Sequence, residues 1–478
     1  MLESPARVFA QLSTDEPLAQ AEVVLGRAVV LGGSMAGLLA ARVLSDHAES
    51  VVIIERDDLP EGVASRPGTP HDGQLHTLMH GGRVQLRRMF PGFEADAEAL
   101  GAVISSPYNI RAYADGVPKV SDGRMGLLSC SRPFLEALVR RRTLALPNVK
   151  VLTCRAKGLE FRGDAVTGVR CGPAAGEDAG GQEWVEEADF VVDAMGRASK
   201  LGDWLEKGGW ERPAMRRMLI GIDYATGYFR RTQSDPELAA AIAYRTPTAV
   251  PPRVASGAIT SIEDDRWLIT LANYGKQPPI RDVAEFRELC GELPPVYREA
   301  VTGEQLGEIS TYHQADSRRR EFHLLKRLPA RLISVGDAVA SFNPIYGQGM
   351  SSAALQASAL SRYLRSAPDL RQPARDFFAA QRVVVDAAWQ VSTAADLARP
   401  DVHGPYPRGY RVTKWFAEQI ANASITDREV AVRFNSVTYM RTHPSALSAP
   451  STLLRALRVN LSKSGRSGRS GGPQRERG

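Results

Sequence analysis

Cysteine is scarce in this chain. Four thiols, Cys130, Cys154, Cys171 and Cys290, occur in 478 residues, and none forms a C-x-x-C pair. That spacing excludes a zinc ribbon and a disulfide frame, so buried or isolated thiols are expected. No run approaches the roughly 20 apolar residues a membrane helix needs, so no span is expected. The N-terminal MLESPARVFAQLSTDEPL carries Glu3, Asp15 and Glu16 and lacks an apolar core. It does not read as a secretory signal, and the cytoplasm is the expected compartment. A strong charge excess is missing too. Of the net +6, the tail Ser462–Gly478 supplies +4 (Lys463, Arg466, Arg469, Arg475 and Arg477 against Glu476), leaving the rest near +2. This gives no reason to expect a nucleic-acid partner. The Gly/Ser/Arg-rich tail cannot build a core and is expected to be disordered.

Histidine is also sparse, at eight. Three of them, His71, His76 and His80, fall in the polar, turn-rich stretch Asp57–Gly82. Without a fourth ligand nearby, a metal site is not expected. Two readings remain for this stretch: a loop folded over a cofactor with His76 close to it, or a solvated loop.

What is present is 43% hydrophobic and 24% charged sequence, the composition of a globular protein with a large core. Arg27–Leu31 is a short β-branched run, followed by GGSMAG at Gly32–Gly37, a helical pattern to Leu44, and a second run, Val51–Ile54, ending at Glu55. Strand, glycine turn, helix and strand within about 30 residues is the setting of a dinucleotide fingerprint. Gly32 makes the tight turn, Gly37 lets helix and strand approach, and Glu55 stands where an acid meets the adenosine ribose. The usual middle glycine is replaced by Ser34, whose hydroxyl can donate to a phosphate.

A second glycine loop lies in Gly336–Ala359, GDAVASFNPIYGQGMSSAALQASA, after the apolar run Leu332–Val335. Pro344, Gly347 and Gly349 mark an irregular loop, and a small-residue helix begins at Met350. A helix opened by a glycine loop offers free N–H groups to an anion or an electron-rich ring. Asp337 suits either a ribose hydroxyl or a helix N-cap. Between these units, Ala188–Met195 is another buried strand, ending in DAMGR. Val149–Leu152, Gly158–Phe161 and Ala165–Arg170 read as a small meander. Arg132, opening the helix Ser131–Arg142, either reaches a phosphate or lies on the surface. Strands at Ile220–Tyr228, Gly257–Ile262 and Trp267–Ala272, the last two joined at Asp264-Asp265, form a β-rich unit without a cofactor motif. Arg375–Leu397, Trp415–Ala421 and Glu429–Thr438 are helical.

Taken in order, Gly32–Glu55, Asp193–Arg197 and Gly336–Ala354 resemble the FAD-dependent monooxygenases of the aromatic-hydroxylase and squalene-epoxidase type, over about residues 27–400. They are most similar to the flavin epoxidases of polyether antibiotic biosynthesis, through GG-x-MAG (Gly32–Gly37), HTL-x-x-GG (His76–Gly82), CSR (Cys130–Arg132), FNPIYGQGMSSAA (Phe342–Ala354) and AW-x-x-x-T-x-x-D (Ala388–Asp396). The resemblance implies an α/β fold: a Rossmann-like FAD-binding domain of the glutathione-reductase type, an inserted β-rich substrate domain and C-terminal helices. The corresponding boundaries are an extension at 1–26, the FAD domain at 27–207 and 315–372, the substrate domain at 208–314, helices at 373–461 and the tail at 462–478. It also implies that Gly32, Ser34 and Gly37 hold the FAD pyrophosphate, with Glu55 on the ribose and Arg132 on the phosphate side. Asp337 would meet the ribityl region. Pro344, Gly347, Gly349 and Met350 would flank the isoalloxazine, with Gly349 and Met350 N–H groups at its electron-rich edge. Reduced FAD would activate O₂ as a C4a-hydroperoxide, with NAD(P)H or a separate flavin reductase as electron source. Epoxidation of C=C bonds in an apolar polyketide or polyene is the implied reaction. Aromatic or aliphatic hydroxylation, and a flavin-dependent reductase or dehydrogenase of an isoprenoid or polyketide, are the alternatives. A halogenase is a relative, but its W-x-W-x-I-P motif is missing here.

Overall fold

The computed structural model describes residues 3–174, 182–232, 238–275 and 277–467. The β-branched runs form a five-stranded parallel sheet, in the order Leu332–Ser334, Phe190–Asp193, Leu25–Leu31, Ala48–Glu55, Val149–Thr153. Val29 is registered against Val52 on one side and Val191 on the other. The chain starts in the middle, builds outward to one edge, then crosses to the other. The C-terminal end of Leu25–Leu31 is therefore a topological switch point, where open α/β sheets leave a crevice.

The glycine turn at this point exists for steric reasons. Gly32 has φ 106°, in the left-handed region that favours glycine. A Cβ on Gly37 would lie 1.8 Å from the Gly32 carbonyl oxygen. The helix Met35–Ser45 can thus sit directly on the strand end. Gly349–Arg365 packs beside it, and its buried Ala353, Ala354 and Ala357 keep the two helices close.

Two sequence expectations are corrected. Val149–Thr153 pairs in parallel with Ala48–Glu55 rather than joining the meander, which consists of Arg155–Arg162, Ala165–Gly172 and Trp184–Glu187. A short apolar run has no local mark that separates the two sheets. The turn expected at Gly172–Gly181 lies partly outside the described residues. The β-rich unit is larger than 208–314. Its eight-stranded mixed sheet also takes Ile110–Ala114 and Val117–Pro118 from upstream, and Ala340–Ser341 and the end of Ser310–Arg320 from downstream. Ile110–Ala114 enters by parallel pairing with Ala240–Tyr244. All four thiols are free and buried, as expected.

The hairpin expected at Asp264-Asp265 joins Ser256–Ile262 to Arg266–Tyr274. Ile262 pairs with Arg266, leaving Glu263–Asp265 as the loop, and both aspartates have positive φ (62° and 52°). Helix Arg375–Leu397 has the expected bounds, and Tyr410–Ala423 and Arg428–Thr438 extend the other two. The N-terminal extension is ordered as well: helix Pro5–Leu12 buries Phe9 and Leu12 against Arg375–Leu397. The final helix continues to Ser467, into the stretch expected to be disordered. The rest of that tail lies outside the described residues. Among the described residues, no helix is long and apolar enough to cross a membrane.

Candidate active site

A cleft of about 830 Å³ opens at the switch point, between the ends of the parallel strands and one face of the mixed sheet. At one end is the first nucleotide turn. Met35–Ser45 has no side-chain cap, and its first intrahelical bond in this turn runs from Leu38 N to the Ser34 carbonyl (2.9 Å). Ser34 Oγ is engaged elsewhere: it donates to Glu136 Oε2 (2.7 Å) and accepts from Arg132 Nη2 (3.0 Å). Glu136 also binds Arg132 (2.8 Å) and Arg66 (2.9 Å). Burial alone would raise the Glu136 carboxyl, but Arg132 and Arg66 hold it below its ordinary value. Arg132 is itself buried, and its Nη1 has no hydrogen-bond partner. A buried, unpaired guanidinium nitrogen calls for an anionic acceptor.

Glu55 closes this end. Its Oε2 accepts from Gly33 N (2.7 Å) and its Oε1 from Arg56 N (2.8 Å), so backbone amides fix the carboxylate at the strand end. At the cleft floor, Gly336 has φ 63° and brings Asp337 against the first helix. A Cβ on Gly336 would lie 2.5 Å from that of Ala36. Asp337 is not an N-cap: it lies inside the short 3-10 turn Gly336–Ala338. Burial raises its carboxyl above the ordinary value, although His71, Arg197 and Arg132 pull it back.

The far end is formed by Pro344–Tyr346, a single 3-10 turn, and Gly347, whose φ of 64° turns the chain into Gly349–Arg365. This helix also lacks a side-chain cap, and Ser352 N donates to the Gln348 carbonyl (2.8 Å). Gly349 and Met350 line the cleft, and a Cβ on Gly349 would meet no atom within 4 Å. Two helix N-termini thus face one cavity, each with free first-turn donors.

His71 and His76 stand between the two ends, their ring centroids 5.2 Å apart. His76 Nδ1 lies 2.8 Å from the Gln74 carbonyl, which can only accept. Nδ1 therefore carries the proton and Nε2 keeps a lone pair. Burial, aided by His71 and Arg132, pushes the His76 pKa down to about 3, so the ring is neutral. His80 is turned away toward the Gly126 carbonyl. Among the described residues, no three His, Cys, Asp or Glu side chains are grouped to hold a metal ion.

The mixed sheet supplies the remaining wall. Its lining residues include Ile110, Ala240, Ile242, Ala258, Ala272 and Tyr224, and none of them is charged. The Tyr224 hydroxyl is buried without a hydrogen-bond partner.

Gly32, Ser34, Glu55, His76, Arg132, Asp337, Pro344, Gly347, Gly349 and Met350 thus line one cleft. Gly37 does not line it; it serves the packing of helix on strand. Sequence reasoning missed Arg66, Glu136, Tyr224 and Asp396. Glu136 had a signal, standing one helical turn after Arg132. Asp396 had one too, closing the motif Ala388–Asp396, whereas Arg66 and Tyr224 carry no local mark of their place in the cleft. A smaller cavity of about 440 Å³, lined by Arg212 and Arg217, contains none of the expected site residues.

The fold is that of flavin-dependent enzymes of known structure. Solved structures with the same fold include the flavin-dependent brominase Bmp2 (TM-score 0.63, 16% identity, 92% of this chain and 99% of that one). Another is p-nitrophenol 4-monooxygenase PnpA from Pseudomonas putida (TM-score 0.62, 16% identity, 89% and 99%). Among curated proteins, the chain is 26% identical over 392 residues to kynurenine 3-monooxygenase of Salinispora arenicola, covering 77% of this chain and 79% of the relative. It is 33% identical over 423 residues to protein Rv3254 of Mycobacterium tuberculosis, covering 85% and 88%. The chain belongs to the family of protein Rv3254. No family model matches it.

Proposed function

We propose that the protein uses FAD to insert one oxygen atom from O₂ into a neutral, largely apolar small molecule. The observation that carries this reading is the single cleft, with anion-binding groups at one end and an uncharged wall at the other. The unpaired Arg132 Nη1 and the free N–H groups after Ser34 fit the FAD pyrophosphate, and Glu55 fits the adenosine ribose. Asp337 fits the ribityl chain. The open space at Gly349 and the uncapped N–H groups of Gly349 and Met350 fit the isoalloxazine edge. When bound and reduced, FAD supplies the oxygen-activating chemistry.

The protein's own work is to bind, orient and exclude water. Asp337 and Arg132 anchor the cofactor, and the loop Pro344–Met350 sets the position of its ring. The apolar wall keeps water from the reacting centre. His76, neutral and with its Nε2 lone pair free, can accept a proton or a hydrogen bond from the bound substrate.

Epoxidation of a C=C bond in a polyketide- or polyene-type metabolite is the finer reading, supported by the loop FNPIYGQGMSSAA. Hydroxylation is the second, favoured by the likeness to PnpA and kynurenine 3-monooxygenase. The uncharged wall argues against a substrate that, like kynurenine, carries a carboxylate at that end. NAD(P)H, directly or through a separate reductase partner, provides the electrons.

The test is to purify the protein, release and identify its flavin, and follow oxygen uptake against a panel of polyenes and neutral aromatics. The expected product carries one ¹⁸O atom from ¹⁸O₂. Turnover without oxygen would refute the proposal.

A further inference from the structure

The C-terminal helices carry no nucleotide motif, yet they grip the cofactor loop at two points. Asp396, in the last turn of Arg375–Leu397, is fully buried. Its Oδ1 accepts from Asn343 Nδ2 (2.7 Å) and from the Tyr346 hydroxyl (3.0 Å). Asn343 is itself oriented, because its Oδ1 accepts from Ile345 N (3.2 Å). One carboxylate oxygen therefore ties the entry and the exit of the turn Pro344–Tyr346. The second grip is one step further on, where Gln348 Nε2 donates to the Thr438 carbonyl (3.3 Å). Beyond it, Gly349 and Met350 open into the cleft without a cap, so their position is inherited from the turn.

A buried carboxylate is a costly group to keep, and its usual return is specificity of arrangement rather than stability. We propose that Asp396 is the positioning residue of the cofactor loop: by accepting from Asn343 and Tyr346 together, it sets where Pro344–Met350 meets the isoalloxazine. This rests on the FAD reading given above. The charged and titratable groups facing Asp396 are Tyr346 of the loop, Arg399 just beyond its own helix, and Tyr224 and Tyr274 of the mixed sheet. Arg399 is engaged by Asp401 and lies over the Tyr274 ring, leaving the two loop donors as the direct partners of Oδ1.

The test uses the full chain stripped of flavin and titrated with FAD, read by flavin fluorescence and by visible circular dichroism of the bound flavin. Asp396→Ala leaves two buried donors unpaired. FAD binding should weaken by at least about tenfold, the scale of a lost hydrogen bond to a charged group, and the dichroism should change. Asp396→Asn keeps an acceptor oxygen of the same shape and should stay within about threefold of wild type, with the wild-type dichroism. Tyr346→Phe removes one donor and should fall between them. An alanine variant that binds FAD like wild type with unchanged dichroism overturns the proposal. So does an asparagine variant that loses as much as alanine. If Asp396→Ala does not fold, Tyr346→Phe decides: unchanged affinity and dichroism overturn the proposal. A wild-type chain that takes up no FAD at any concentration overturns the cofactor reading itself, which separates the two failures.

Discussion

Two acids near the loop Pro344–Met350, the half-buried Asp337 and the fully buried Asp396, act in opposite ways at the level of single residues. Asp337 lines the cleft, where the proposed FAD would meet it. Asp337→Ala should abolish or sharply weaken FAD binding while leaving thermal unfolding of the flavin-free protein little changed. A variant that purifies fully yellow would contradict its assignment. Asp396 faces the protein. Burial pushes its pKa from 3.8 up to about 6, against the pull of Asn343, Tyr346 and Arg399. The folded state therefore binds this proton more tightly than the unfolded chain. The corresponding stabilisation is complete below the unfolded value of 3.8 and is lost as pH rises through about 6. Asp396→Asn cannot ionise, so it should gain on wild type as pH increases, by up to about 3 kcal/mol above pH 7. Denaturant unfolding of both proteins at pH 5 and pH 8 checks the sign.

Among the elements, the two glycines of the cofactor loop have different jobs. Gly347 has φ 64°, and a Cβ there would lie 2.4 Å from Met79 Cε. Gly347→Ala should destabilise the flavin-free protein by about 1–2 kcal/mol from the left-handed conformation alone. Gly349 has neither constraint, so Gly349→Ala should leave stability unchanged or slightly raised. Its added methyl would still intrude where the ring is expected, and FAD affinity should fall. Thermal unfolding and FAD titration of the same two variants separate strain from occlusion. In the mixed sheet, the turn at Asp264-Asp265 holds two non-glycine residues at positive φ. Asp265→Gly should relieve one of them and stabilise the protein by about 1 kcal/mol, measurable by denaturant unfolding.

For the molecule as a whole, the cleft joins parts of the chain that are far apart: Gly32–Ala36 and Glu55, the loop through His71 and His76, Arg132, and Gly336–Met350. A ligand that contacts all of them stabilises the folded state by mass action, by about 2.7 kcal/mol at one hundred times its Kd. Saturating FAD should therefore raise Tm. Adenosine diphosphate, which offers groups only to the first nucleotide turn and Arg132, should bind more weakly and so raise Tm less at an equal free concentration.

Much of this protein was determined by local sequence. Runs such as Arg27–Leu31 and Val51–Ile54 bury both faces, so their β-branched residues mark a parallel strand without outside help. Gly32 and Gly37 mark the nucleotide turn because the backbone there excludes a Cβ. Asp264-Asp265 marks a hairpin by its turn chemistry. The remainder was decided by contacts between distant residues. Val149–Thr153 reads the same whether it joins a meander or a parallel sheet, and only its pairing with Ala48–Glu55 chose. Ile110–Ala114 entered the mixed sheet through a partner more than a hundred residues away. Arg66 and Glu136, and Asp396 with Asn343 and Tyr346, find each other only once the helices are docked. Those contacts then set the electrostatics: Arg132 and Arg66 hold the Glu136 carboxyl below its ordinary value against its burial, whereas burial pushes Asp396 toward neutrality. Sequence placed the two glycine loops; the tertiary structure brought them to one cleft, because the strand order puts both loops at the same switch point.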